Sequence, residues 1–379
     1  MKISNFPELC VTGLGLVTSV GHDHKTACAS IRAGLKRSQL LGNYYLFTKK
    51  PFEDPDDGYV GGHPVLDGDF NDRTARMAAL LSMAFQDLIR QESGRELLAE
   101  IPPFWLALPE KERHTVDDLA LKNQLKANPA IPFDEAGFRF FQNGHAGMIV
   151  ALAEAAKAMA MGMFHRVLIA GADSLIGVKD LKRFNRLGRL KTVLNPAGLM
   201  PGEAASVIIL ETLESAIKRK ANIHFVVRSF ALATEEKTVL SENPQGGDGL
   251  SKAISSFFDQ GKHAPRSLDA LISDMNGEEY RADELSIVYS RVMGKVDGEK
   301  NMIFPARCIG DTGAASPGVA FCIASRAMER GYLSREPGKG SGYGLVLASS
   351  DTGERGAVLV GRNINDACFH TPKRSNPCP

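Results

Sequence analysis

The chain has 379 residues, 44% of them hydrophobic and 23% charged, and a formal net charge of +1. That composition suits a globular protein with a large buried core. Its near-neutral balance excludes the strong basic field that binding to nucleic acid or an anionic membrane surface requires, and no run of about 18 apolar residues predicts a membrane span.

The first predicted strand is Glu8 to Gly15, followed by a helix that carries Cys28. The segment from Gly34 to Asp72 is rich in Gly, Pro, Asp and aromatics, has no long periodic pattern, and is expected to be a loop insertion spanning about 35–72. A short helix is expected near 115–125, then an aromatic strand through Phe138, Phe140 and Phe141. An apolar helix over 145–161 follows, closed by Gly162, and then a buried strand, Val167 to Asp173. Further strands are expected at Ala205 to Leu210, Phe225 to Ala233, Leu268 to Ser273 and Met302 to Ile309. A second apolar helix over 314–330 ends on Gly331, and the strands Leu345 to Asp351 and Ala357 to Val360 complete the order. The tail 365–379 has little apolar pattern and is expected to be loosely ordered.

The two apolar helices align without gaps. Gly144, Ala146, Val150, Ala151, Ala155, Ala158, Met159 and Gly162 fall on Gly313, Ala315, Val319, Ala320, Ala324, Ala327, Met328 and Gly331. Each is followed by an aliphatic strand ending in acid, VLIAGAD and LVLASSD. The chain therefore reads as a duplication with halves 1–220 and 221–364. Strand–helix–strand order with short connections predicts mainly parallel sheets covered by helices. Two copies give an α/β fold, a five-layer α/β/α/β/α sandwich with the paired apolar helices in the middle.

Cys10, Cys28, Cys308, Cys322, Cys368 and Cys378 form no CxxC pair, and no Cys/His cluster has zinc spacing. Reduced thiols, no metal and no cofactor are the expectation. Met1 to Cys10 has neither a basic start nor a long apolar core, so a secretion signal is not expected and the cytoplasm is the predicted location.

Several segments together resemble the β-ketoacyl-ACP synthase family of the thiolase-like superfamily. They are VTGLGLVTSVG from Val11, IRAG from Ile31, LIAGADS from Leu168, PGEAASVIIL from Pro201, GDTGAA from Gly310 and Gly342–Tyr343–Gly344. The resemblance spans residues 8–362 and implies a thiolase-like duplicated fold. In that family a cysteine at the mouth of the first buried helix, two histidines and a lysine carry out condensation. Here the matching positions hold His145, Asn276, Asp311 and Arg307, so none of the four identities is kept. Tyr343 matches the family's aromatic gatekeeper, with Gly342 and Gly344 beside it in an acyl-pocket or oxyanion loop shortened by Leu345. Cys28 and Cys308 read as packed core thiols, although Arg307 beside Cys308 would lower that thiol's pKa.

A positive helix terminus predicts a neutral His145 imidazole. Asp311 would orient that ring or pair with Arg307, and Asn276 would donate to a carbonyl or cap the turn before Gly277. Loss of the catalytic set predicts a synthase-like protein that does not condense. It would bind an acyl group, acyl-CoA, an acyl-carrier protein or a partner synthase in fatty-acid or polyketide-type metabolism. The resemblance implies a homodimer, or a heterodimer with an active synthase, formed through the strand that carries the three phenylalanines. An acyltransferase, thioester hydrolase or malonyl decarboxylase using His145 remains open, as does condensation on Cys308.

Overall fold

The computed structural model describes residues 6–362 apart from 47–51, 97–99, 114–115, 243–245, 259–266 and 336–339; the tail 365–379 lies outside the described residues. The N-terminal half carries β1 (Leu9–Thr18), α1 (His24–Arg32), β2 (Gln39–Tyr45), β3 (Tyr59–Gly62), α2 (Arg73–Ile89), α3 (Glu92–Glu96) and β4 (Phe104–Ala107). It continues through α4 (Asp118–Ala127), β5 (Arg139–Phe141), α5 (Gly147–Ala160), β6 (Arg166–Ser174), α6 (Val178–Arg186), β7 (Glu203–Thr212) and α7 (Leu213–Lys218). The C-terminal half carries β8 (Phe225–Thr234), α8 (Asp248–Phe258), β9 (Ala270–Ser273), α9 (Glu279–Arg291), β10 (Asn301–Ile303), α10 (Ala306–Ile309), α11 (Ser316–Arg330), β11 (Tyr343–Ser349) and β12 (Glu354–Gly361).

Strand order makes the duplication visible. The large sheet runs β10-β9-β11-β12-β8-β1-β7-β6-β4-β5, so each half repeats one five-strand order outward from the β1–β8 join. That join is short and antiparallel, pairing Leu9 to Val11 with Phe225 to Val227. Within each half two strand pairs are parallel and two antiparallel. The expectation of mainly parallel sheets is corrected here. β11 and β12 are joined by a turn in which the Ser350 N–H donates to the Glu354 carbonyl at 2.9 Å, and a connection that tight forces antiparallel pairing.

Alternation along the strands builds the layers. On β6, Val167 and Ile169 face a core shared with α5 and α11, while Leu168 and Ala170 face α2 and α4. On the other half Leu345, Leu347 and Leu359 pack under Ile254 and Phe257 of α8 and Val288 of α9. Helix, sheet, helix pair, sheet, helix is the resulting stack. Burying each such aliphatic side chain contributes about 1.5–3 kcal/mol. The central helices start alike, each with a 3-10 turn opened by a left-handed glycine: Gly144 (φ 53°) and Gly313 (φ 51°).

Three local expectations change. The insertion expected as loop forms the hairpin β2–β3, because Leu41 and Val60 find Leu181, Phe184, Leu190 and Leu199 to pack against. Met302 to Ile309 is not one strand: after Ile303, Pro305 starts the short helix α10. Cys308 is therefore a helical residue, buried against the end of α1.

Backbones approach closely in the middle layer. A Cβ on Gly171 of β6 would stand 2.3 Å from the Ala314 carbonyl oxygen and 2.7 Å from Met148 Sδ. Gly171→Val is expected to cost about 1–3 kcal/mol of unfolding free energy by overpacking; a urea midpoint equal to wild type would show that the layer has slack.

Candidate functional site

Both central helices point their N-termini at one place, the seam between the halves. His145 lies in the 3-10 turn Gly144–Ala146 that leads into α5, and Asp311 just before the matching turn into α11. The two side chains meet: His145 Nε2 lies 2.7 Å from Asp311 Oδ1. The Gly313 N–H donates to the same oxygen at 2.9 Å, and Asn276 Nδ2 donates to Asp311 Oδ2 at 2.6 Å. His145 and Asp311 are each 3% exposed and Asn276 is 8% exposed, so these bonds lie in surroundings of low dielectric.

A shell of ion pairs surrounds them. Arg189 grips Glu278 (2.6 Å) and Asp351 (2.6 Å), and Arg281 holds Asp274 (3.0 Å) and Asp351 (3.4 Å). Glu110 Oε1 lies 3.9 Å from His145 Nδ1 and accepts the Asp351 N–H at 3.2 Å. Arg113 links Glu110 to a second buried set, Asp173, Asp180 and Arg73. Glu110, His145 and Asp351 bring ligand-type atoms within 4.8 Å of one another. Arginines already face both of those carboxylates, so the arrangement is an ion-pair web.

Around His145 the carboxylates outnumber the arginines, and this sets its charge. Burial opposes protonation, but the Asp311 carboxylate outweighs it, and the ring is pushed up to about 10 from the ordinary 6.5. Arg281 Nη2, 3.5 Å from Nδ1, pulls the other way, and the contacts with Asp311 and Glu110 outweigh it. Burial also works against the charge on Asp311, yet His145, Arg281 and Asn276 hold its carboxyl well below the usual carboxylate range. Asp351 is held down by Arg189 and then Arg281, against its own burial. The neutral imidazole expected from the helix terminus is thus corrected: a full carboxylate at 2.7 Å outweighs a partial helix charge.

Of the positions that the sequence singled out, the structure brings His145, Asn276 and Asp311 together. Arg307 is not among them. It sits on α10 with its side chain exposed to solvent, and Asp311 pairs with His145 instead. Ala306, one residue earlier, lines the small cavity beside Asp311. Gly342, Tyr343 and Gly344 are also misplaced as a pocket loop. Gly342 precedes β11 and Tyr343 and Gly344 begin it, whereas the site lies past its other end, about 20 Å along the strand. The segment at the site is the β11–β12 turn, where Ser350 Oγ accepts the Ala146 N–H at 2.9 Å and Asp351 joins the web.

Sequence reading missed Glu110, Arg189, Glu278 and Arg281. They come from three separate segments, with Glu278 and Arg281 one helical turn apart, and only the fold unites those segments. Asp351 carried a signal, because it ends the second of two duplicated strands that both finish in acid.

The nearest cavity, lined by Ser273, Asp274, Gly310, Asp311 and Thr312, holds about 10 Å³, room for one water molecule. A larger cleft of about 310 Å³ opens elsewhere, beside Phe70, Arg73, Val178 and Lys179.

No protein-family model matches the sequence. Solved structures do match the fold. The oxazolomycin ketosynthase domain of Streptomyces albus JA3453 superposes with a TM-score of 0.77 at 12% identity, over 95% of this chain and 75% of that one. This chain has the ketosynthase fold. The ishigamide ketosynthase/chain length factor matches with a TM-score of 0.69 at 17% identity, over 94% of this chain and 99% of that chain. A type II PKS ketosynthase, in complex with its acyl-carrier protein and bound to the hexaketide, matches with a TM-score of 0.73 at 14% identity, over 94% and 99%. Among the described residues of this ketosynthase fold, no helix is long and apolar enough to cross a membrane.

Because the folded-state value of His145 lies above 6.5, the ion pair contributes its full stabilisation below pH 6.5 and loses it as pH rises through about 10. His145→Gln should therefore cost about 3–5 kcal/mol at pH 6, as removal of one partner of a buried pair does. That gap should narrow between pH 6.5 and 10. Chemical denaturation of both proteins across this range checks it; a gap independent of pH would mean that the ring is neutral throughout.

Proposed function

We propose that this ketosynthase-fold chain is a non-condensing subunit, which acts by binding an acyl-carrier protein or a partner synthase rather than by forming carbon–carbon bonds. The observation that carries this reading is the buried contact of His145 Nε2 with Asp311 Oδ1 at the mouth of α5, where the carboxylate favours the charged ring. Condensation there needs a nucleophile with space before it for a thioester carbonyl. His145 offers neither a free lone pair nor that space. A ketosynthase/chain length factor and a ketosynthase–carrier complex among the structural neighbours fit such a role. The end strand β5 leaves one edge open, with Phe140 and Phe141 half-buried, and suits pairing with the edge of a partner as a homodimer or a heterodimer.

The second reading is acyl transfer, thioester hydrolysis or malonyl decarboxylation on His145. It is favoured by the His145–Asp311 contact, which has the form of a histidine oriented by a carboxylate. Two features weigh against it. A general base needs a vacant nitrogen at working pH. Here Nε2 donates to Asp311 and Nδ1 stands between Glu110 and Arg281.

Two measurements separate the readings. Co-purification with a type II ketosynthase or an acyl-carrier protein is expected for the wild-type chain, while malonyl- and acyl-thioester turnover should be the same in wild type and His145→Ala. His145→Cys should remain unable to condense, because Asp311 and Glu110 would hold a thiol at this position protonated. Turnover that disappears in His145→Ala would establish the enzymatic reading, and condensation by His145→Cys would show that the site is merely unarmed.

A further inference from the structure

The outer face of α6 gathers cations without acids to meet them. From Ser174 to Pro201 the sequence has Lys179, Lys182, Arg183, Arg186, Arg189 and Lys191, and Asp180 is the one acid. Asp180 is buried against Arg73 and Arg113, and Arg189 is buried in the central web. The other five cations face outward. Lys179, Lys182, Arg186 and Lys191 are exposed, and half-buried Arg183 donates to the Glu112 carbonyl at 3.0 Å. Lys179, Lys182, Arg183 and Arg186 stand at i, i+3, i+4 and i+7, which makes one stripe along the helix. Leu181 and Phe184 on its other side are buried with Leu190 and Leu199. Among the described residues no carboxylate pairs with any of the five.

At the C-terminal end of this stripe the chain makes a tight turn with apolar residues at its tip. Thr192 and Asn195 exchange both backbone hydrogen bonds at 3.1 Å, which leaves Val193 and Leu194 as the two turn residues. They are 59% and 67% exposed, and Leu187, the residue after α6, is 41% exposed. Asn195 Nδ2 donates to the carbonyls of Gly188 (2.8 Å) and Leu190 (3.0 Å), so the turn is fixed to the end of α6. Turn tips favour Gly, Asn, Asp and Ser. A valine and a leucine there give the turn nothing and present apolar surface to the outside.

We propose that α6 and the 192–195 turn form a peripheral membrane-docking face: Val193, Leu194 and Leu187 enter the headgroup boundary of a bilayer, and the cation stripe lies on its anionic lipids. Binding of this kind combines buried apolar surface with attraction to anionic headgroups. The net charge of +1 provides no field over the whole chain, so the attraction is local to this face. The layout separates a bilayer from other anionic partners. A nucleic acid would be met by aromatic side chains on which bases stack, and the exposed tip is aliphatic. A protein interface sets its apolar residues at the centre of a polar rim, whereas here they project at one end of the stripe. The face makes no use of His145 and stands independently of the carrier-binding reading.

The test is sedimentation of the full chain with vesicles of phosphatidylcholine and phosphatidylserine in equal parts. Wild type should sediment with them, release as salt is raised, and stay free of pure phosphatidylcholine vesicles. Lys182→Glu/Arg186→Glu and Val193→Ser/Leu194→Ser should each bind about tenfold or more weakly. Lys218→Glu/Lys252→Glu, the same change in charge placed on α7 and α8, should bind as wild type does. Insertion has a readout of its own. The chain's single tryptophan, Trp105, is 2% exposed. Emission of Leu194→Trp should therefore shift to the blue on vesicles and be quenched by brominated lipid, while wild-type emission should not change. A wild-type chain that stays in the supernatant, binding as strong to pure phosphatidylcholine, equal binding by all the variants, or Leu194→Trp emission that brominated lipid leaves unquenched overturns the proposal. Loss of duplex DNA or acyl-carrier binding in the two face variants, with no vesicle binding by wild type, would assign the face to that partner and so overturn it as well.

Discussion

The contact between His145 and Asp311 is the constraint on which the rest of the site depends. It joins the two halves at the point where their central helices begin, and both side chains are buried there. In low dielectric each ion is costly alone and tolerable only when paired and hydrogen-bonded. Asn276 and the Gly313 N–H complete the coordination of Asp311, and the surplus of carboxylates around His145 keeps its ring charged. A position where a reactive group would need to be exposed and uncommitted is instead fully committed.

Duplication explains how the web is built. Asp173 closes β6 and Asp351 follows β11, the equivalent strand of the other half. Each acid reaches across the seam. Asp173 accepts the Ala314 N–H at the mouth of α11 and is held by Arg73 and Arg113. Asp351 lies beside Glu110 and His145 at the mouth of α5 and is held by Arg189 and Arg281. The glycines are matched as well. A Cβ on Gly144 would stand 1.9 Å from Glu110 Oε1, and one on Gly313 would stand 1.9 Å from Asp173 Oδ2. In both halves a left-handed glycine leaves room for a buried carboxylate.

Much of this architecture was legible in the sequence, because a buried helix or strand writes its periodicity locally. The ungapped match of residues 144–162 with 313–331 revealed the repeat, and His145, Asn276 and Asp311 could be placed from their distance to glycines and strands. Sheet polarity was harder, since the form of the connection decides it without altering the strand pattern. The cations of the site could not be read at all. Arg189 lies in the loop after α6 and Arg281 in the first turns of α9; Glu278 stands one turn before Arg281, but nothing near either arginine announces that Asp351 will meet both or that Glu278 will meet Arg189. Arg307 was misplaced for a related reason: Pro305 starts a helix where the sequence suggested a strand, and a helical residue one position along points elsewhere. Tyr343 was misplaced because a short glycine motif matches at either end of a strand equally well.

The protonation state of His145 tests this account most directly. In protein labelled with ¹⁵N-histidine, the account predicts that the His145 ring shows both nitrogens protonated at pH 8, where an ordinary histidine with a value near 6.5 is neutral. It also predicts that the signal persists until the ring titrates near pH 10. A neutral His145 ring at pH 8, titrating with the surface histidines, would contradict it and restore a nitrogen free for catalysis.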